Sequence, residues 1–198
     1  MYLSKVKLNL RKKKTIKCLE NPNCMHGVVE RISNGKGGKL WRVDRINGVL
    51  SLLVLSSEFP HLEDLIEQIG DENIEPGILS YDSFLEKVEE KKKYYFVLQG
   101  NTSSKSDGKR RSLKDDDQRM NWLMKKGEAN GFCVDPCQTA ILQSGPLVFK
   151  RNKETITLAS TLFQGILYVT DREKFLKALM EGVGHGKSYG LGMLSIMV

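Results

Sequence analysis

Several things are scarce in this chain of 198 residues, and each scarcity narrows what it can be. No apolar run approaches the roughly 18 residues a membrane-spanning helix needs, so no association with a membrane is expected. The opening "MYLSKVKLNLRKKK" alternates with lysine too soon for a signal peptide. The expectation is a cytoplasmic protein. Cysteine is sparse: Cys18, Cys24, Cys133 and Cys137, with His26 as a spare ligand, leave five and three residues between their pairs. Structural zinc favours closer Cys-x2-Cys knuckles, so reduced thiols are expected and no metal. Acidic residues are scarce outside one stretch. Residues 58–90 hold eleven Asp or Glu against the single basic Lys87, and removing that segment's −10 from a net +7 leaves +17 on the rest. An imbalance of that size points to a polyanion, nucleic acid first.

The tail "EGVGHGKSYGLGMLSIMV" has glycines at 182, 184, 186, 190 and 192 around Lys187 and Ser188, which suggests a phosphate cradle. A nucleotide P-loop wants a further glycine five residues before Gly-Lys-Ser, where this chain has Glu181, a carboxylate that would repel phosphates. Ten residues after Ser188 are too few for the helix and parallel strands such a loop sits on. A nucleotide enzyme is therefore not expected.

Periodicity gives an α+β organisation. "YLSKVKLNL" (2–10) alternates as a half-buried strand. Asn21 and Pro22 are the cap and first residue of a helix, and "KLWRVDRI" and "GVLSLLVLSS" form a hairpin through Asn47-Gly48. "HLEDLIEQIG" gives a second helix with Leu62, Leu65, Ile66 and Ile69 in one stripe, and "GILSYDSF" a fourth strand. The second half repeats this βαββαβ order: a strand over 91–100, a helix over 115–126, two long β-rich runs joined near Asn152, the helix "DREKFLKALMEG" and a short last strand "MLSIM". Two tandem ferredoxin-like domains follow, 1–90 and 91–198, a fold whose sheet face is a common RNA platform.

Among residues that could carry chemistry, His26 stands off the apolar stripe Met25, Val28, Val29 and Ile32, in line with Asn23, Glu30 and Ser33. It is expected outside the core. On helix geometry alone, a solvated histidine without duties is the more ordinary reading. The segment "NTSSKSDGKRRSLK" reads as a loop, with Lys105, Lys109, Arg110, Arg111 and Lys114 opposed by Asp107 alone. Having no aromatics, it suits RNA backbone rather than bases, a disordered solvated loop being the alternative by composition, and Lys150, Arg151 and Lys153 make a similar hairpin tip.

On these parts the chain resembles the CasE family of CRISPR repeat-processing endoribonucleases, subunits of the type I-E Cascade complex. The likeness rests on "MYLSKVKLNL", on "ENPNCMH" as the segment bearing the family's active-site histidine, and on "GVGHGKSYGLGMLSI" as its glycine-rich loop; "YFVLQGN" and "RMNWLMKKGEANGF" fit loosely. Asn23 stands where members carry Tyr, and Gln99 and Thr102 where they often show Arg and Pro.

The resemblance implies tandem ferredoxin-like domains and cleavage of a repeat RNA hairpin without metal or other cofactor. The 2′-OH attacks phosphorus in line, leaving a 2′,3′-cyclic phosphate and a 5′-OH. His26 would move a proton, worth ~10²- to 10⁴-fold. Asn23 would hydrogen-bond nearby and Arg31 would neutralise the phosphorane. Gly184 and Gly186 would let backbone approach an RNA phosphate, with Lys187 as a point charge. The acidic segment 58–90 is expected to dock other Cascade subunits. The alternative is a non-catalytic RNA-binding or assembly subunit of the same fold, with His26 idle.

Overall fold

A computed structural model describes residues 1–33, 37–106 and 109–197, and all of their side chains except those of Ser106 and Lys109. The chain forms two compact units. One comprises Met1–Phe84, Phe149–Thr155 and Lys187–Gly190, and the rest of the described chain forms the other.

In the first unit β1 (Tyr2–Lys7) buries Ser4 and Val6 on one face. The strand is shorter than the alternation over 2–10 implies. Leu8 keeps a single bridge to Gly70, and Leu10 is exposed. The reason is local: the Asn9 side chain accepts from the backbone N–H of Arg11, and its carbonyl accepts from Lys12, turning the chain into a helix. That helix, α1 (Lys13–Glu20), is absent from the sequence reading because its lysine run buries just Thr15 and Cys18, too little apolar period to recognise. Thr15 ties it down by donating from Oγ1 to the Ile69 carbonyl at 3.0 Å.

Helix α2 (Pro22–Val29) begins as expected, with the Asn21 side chain accepting from the Asn23 N–H at 3.0 Å and Pro22 at the first position. A 3-10 turn, Glu30–Ile32, continues it. The stripe of Met25, Val28, Val29 and Ile32 is buried, and it packs on Val6, Leu52, Val54, Leu65 and Ile69 in one core cluster.

Strands β2 (Leu40–Ile46) and β3 (Val49–Ser56) form a hairpin whose turn residues, Asn47 and Gly48, have φ of 50° and 79°, the left-handed geometry that turn demands. Helix α3 (Glu63–Ile69), β4 (Gly77–Ser80) and the short α4 (Asp82–Leu85) follow. The sheet order is β2-β3-β1-β4, antiparallel throughout, which is the ferredoxin-like arrangement with α1 added.

The second unit holds β5 (Lys93–Gly100), β6 (Ser103–Ser106), β7 (Lys109–Ser112), α5 (Asp116–Ala129), β8 (Phe132–Arg151), β9 (Glu154–Val169), α6 (Arg172–Glu181) and β10 (Leu194–Met197), except that the tip joining β8 to β9, Phe149–Thr155, belongs to the first unit. Its sheet runs β10-β5-β9-β8, the same order as in the first unit. Phe96, Leu98, Leu123, Phe132, Phe163, Phe175 and Leu179 fill the core. Asp115 caps α5 by accepting from the Gln118 N–H at 2.7 Å, and the helix runs three residues past the expected 126. One expectation is corrected here. The basic segment read as a loop is largely a two-stranded hairpin, β6 paired with β7, whose strands carry no apolar residue for a periodicity argument to find. Asp107, its expected counter-charge, lies outside the described residues.

Candidate active site

His26 sits on the polar side of α2 with its side chain 32% exposed. Atom Nδ1 is covered and makes no hydrogen bond, although Glu30 Oε1, one helical turn on, is 3.4 Å away. The ring's exposure therefore falls on the opposite edge, which carries Nε2. Behind this pair the other carboxylate oxygen of Glu30 is 3.5 Å from Lys39 Nζ, whose side chain is 2% exposed. Histidine, carboxylate and lysine thus form a row in which the carboxylate can steady the Nδ1 proton while Nε2 faces outward for proton transfer.

Tyr189, a residue that sequence reasoning passed over, packs on this histidine. It ends the 3-10 turn Lys187–Tyr189, with its ring centroid 6.3 Å from that of His26 and 4.6 Å from that of Phe149. Its hydroxyl accepts from Arg151 Nη1 at 3.4 Å, and Asn21 Nδ2 donates to the Lys150 carbonyl at 3.2 Å. Lys150, Arg151 and Lys187 thus belong to the unit that contains α2, with the Lys150 carbonyl at the helix cap and the Lys187–Tyr189 turn against the helix. Gly190 makes the turn possible: its φ is 78°, its N–H donates to the Lys187 carbonyl at 3.2 Å, and a Cβ there would lie 2.6 Å from the Trp41 ring. The signal in the sequence was a single tyrosine set between Ser188 and Gly190, in a loop read for its glycines, Lys187 and Ser188.

Asn23 and Arg31 lie together in a cavity of about 350 Å³, with Lys14, Lys17 and Gln68. His26 is not part of that lining. Cys24 lines it too. Burial and the adjacent Cys24 thiol push the neighbouring Cys18 thiol up to about 12, so Cys18 stays a neutral thiol. Among the described residues, no three His, Cys, Asp or Glu side chains converge as a metal site would require.

Lys153 shares the first unit with Lys150 and Arg151, and the cations of segment 101–114 belong to the second. Pairing sets Lys105 opposite Arg110 and Ser104 opposite Arg111, so the hairpin's charges are divided between its two faces. Arg110 Nη2 donates to His185 Nε2 at 3.1 Å, and Lys105, Arg111 and Lys114 are exposed. The Lys109 side chain lies outside the described residues, though its backbone pairs with Ser106. Gly184 and Gly186 have φ of 81° and 85°, as a turn around His185 predicts. Close packing makes a further demand on them. A Cβ would lie 3.3 Å from Trp122 at Gly184 and 3.1 Å from Leu191 at Gly186.

Comparison with known proteins supplies the context for this geometry. A family model described as CRISPR associated protein matches residues 1–197. The CRISPR-associated endoribonuclease Cse3 of Thermus thermophilus is 27% identical, with 99% of each chain covered. The solved structure of Thermus thermophilus Cse3 bound to an RNA representing a pre-cleavage complex superposes with a TM-score of 0.86 at 27% identity, covering 100% of this chain and 98% of that one. The CRISPR-associated protein Cas6e of Escherichia coli K-12 shares the fold, with a TM-score of 0.70 at 19% identity over 99% of this chain and 98% of its own.

Proposed function

Since the chain belongs to the CRISPR associated protein family, we propose that it is an endoribonuclease that cleaves CRISPR repeat hairpins in precursor RNA to give mature guide RNA. The observation that carries this reading is His26, partly exposed on the polar side of α2, with Nδ1 covered beside Glu30 and the Tyr189 ring packed against it, in the same unit as Lys150, Arg151 and Lys187. The Thermus thermophilus relative, an endoribonuclease by name and solved with RNA, supports it.

In the reaction the 2′-oxygen next to the scissile bond forms a bond to phosphorus while the bond from phosphorus to the 5′-oxygen breaks. The 2′-OH proton leaves to a base and the departing 5′-oxygen gains one. The products are a 2′,3′-cyclic phosphate and a 5′-OH, and no metal takes part. His26 Nε2 moves one of these protons. Arg151, held against the Tyr189 hydroxyl, stabilises charge on the phosphorane oxygens, and Arg31 and Asn23 act on the adjoining strand. The first domain (1–90) carries the histidine, and the second (91–198) grips the hairpin through Lys105, Arg110, Arg111 and Lys114, the backbone of Gly184 and Gly186 following the phosphates. The acidic segment 58–90 docks partner subunits of a Cascade-type complex in the cytoplasm.

The test is single-turnover cleavage of a repeat hairpin in EDTA, with the product end identified as a cyclic phosphate. His26→Ala should abolish cleavage and leave hairpin affinity within about twofold, since the histidine acts on a proton and contributes little to holding the backbone. Binding without cleavage by the wild-type protein would make the chain a non-catalytic subunit and sink the reading.

A further inference from the structure

The cavity flanked by α1 and α2 holds three cations, Lys14, Lys17 and Arg31, and no acidic side chain lines it. None of the three is ion-paired among the described residues, whereas Lys7, Lys12 and Lys39 each meet a carboxylate. Like charges gathered in a recess without a counter-ion repel one another, and an anion placed among them removes that repulsion. Asn23 and Gln68 add amide N–H donors. At about 350 Å³ the space falls within the ~300–1,000 Å³ of small-ligand sites, so it takes a phosphate together with its sugar.

Asn23, one of the lining residues, lies one helical turn before His26 on α2. Residues three apart on a helix are neighbours, with Cβ atoms ~5–6 Å apart, so an anion in the cavity sits beside the reacting phosphate. We infer that this cavity is a second phosphate site, which takes the backbone of the unpaired RNA strand flanking the scissile bond. The inference rests on the endoribonuclease reading above. The strand must be unpaired because a recess admits a phosphate that can turn inward, and a duplex backbone cannot. With no aromatic in the lining, the site grips backbone and is indifferent to base identity.

The experiment compares wild type with Lys14→Ala/Lys17→Ala, two exposed positions on α1, on three RNAs made uncleavable by a 2′-deoxy sugar at the scissile nucleotide. One is the repeat hairpin ending at the scissile phosphate, and the others extend it by an unpaired strand on one side or the other. The variant should bind one extended RNA about tenfold more weakly at physiological salt. Its salt slope there should be shallower by about 1.4, at ~0.7 for each single-strand phosphate neutralised. Affinity for the shorter hairpin should not change. Equal loss on all three RNAs reduces the lysines to a diffuse field and overturns the site, and so does loss on none.

A second measurement needs no variant. The favoured extended RNA should slow alkylation of Cys24 by iodoacetamide, and the shorter hairpin should not. Equal protection by both, or by neither, also overturns the site. Cleavage of the all-ribose RNA by the wild type separates the two readings. Flank-dependent binding without cleavage removes the endoribonuclease and keeps the phosphate site, whereas cleavage without flank dependence does the reverse. Failure of the wild type to bind any of the RNAs removes both.

Discussion

Replacing Gly190 by Ala tests whether the tail turn is held as the structure describes. Two costs add. Alanine at φ of 78° is in the left-handed region, worth ~1–2 kcal/mol for a residue with a Cβ. The new Cβ also falls 2.6, 2.9 and 3.0 Å from three carbons of the Trp41 ring, which is itself 5% exposed and has little room to retreat. Overpacking of this kind costs ~1–3 kcal/mol. The sum, ~2–5 kcal/mol, is released in one of two ways: the whole unit bears it, or the turn lifts away and takes Tyr189 from His26.

The first outcome lowers the thermal midpoint by roughly 4–20 °C, at ~2–4 °C per kcal/mol for a chain of this size. The second leaves the midpoint near wild type and lowers single-turnover cleavage. Circular dichroism on heating and cleavage at saturating RNA read both. Trp41→Leu in the Gly190→Ala background should recover part of the loss, because it removes the wall but not the strain. Gly27→Ala is the opposing control. It is helical, nothing lies within 4 Å of its Cβ, and it should stabilise by up to ~1 kcal/mol. A Gly190→Ala protein with its midpoint within 1 °C and its cleavage rate within twofold of wild type would refute the reasoning.

Arg110→Ala/Arg111→Ala should weaken hairpin binding and flatten its salt dependence by roughly 0.7–0.9 for each phosphate no longer neutralised, while His185→Ala, changed at Arg110's partner, should keep most of the single-turnover rate. An unchanged salt slope would remove β6 and β7 from the RNA surface. Burial pushes the Tyr81 phenol up to about 12. The folded state therefore favours the neutral phenol, and its contribution is complete below the ordinary value near 10 and is lost as pH rises from there through about 12. At ~1.36 kcal/mol per unit this reaches at most about 3 kcal/mol. Urea unfolding at pH 9 and pH 11 should show a steeper alkaline loss in wild type than in Tyr81→Phe, and equal losses would place the phenol in water.

How much was legible from residues alone follows the range of the forces involved. Asn21 and Pro22 start α2 through bonds to their immediate neighbours. The stripe from Met25 to Ile32 is a matter of helical period, and Asn47-Gly48 is a matter of which residues tolerate positive φ. Repetition of one βαββαβ order made both sheets readable, and each has the strand order that plan implies. Failure came where local pattern was weak. Helix α1 buries two residues under a coat of lysine, and β6 and β7 consist of serine, lysine and arginine.

The site divides along the same line. The sequence by itself determined that His26 leaves the core, because its angular position on α2 is set by the few residues around it. It also determined that the tail must turn at Gly184 and Gly186, since a backbone without Cβ reaches φ of 81° and 85° without strain. Tertiary structure alone decided what stands beside the histidine. Tyr189 reaches it from far along the chain, backed by Phe149, hydrogen-bonded by Arg151 and set in a turn that packs at Gly190 on Trp41, none of which a local period encodes. It likewise decided that Lys14, Lys17 and Arg31 share one cavity: their charge was plain in the sequence, but their convergence depends on how α1, α2 and α3 settle on a common core.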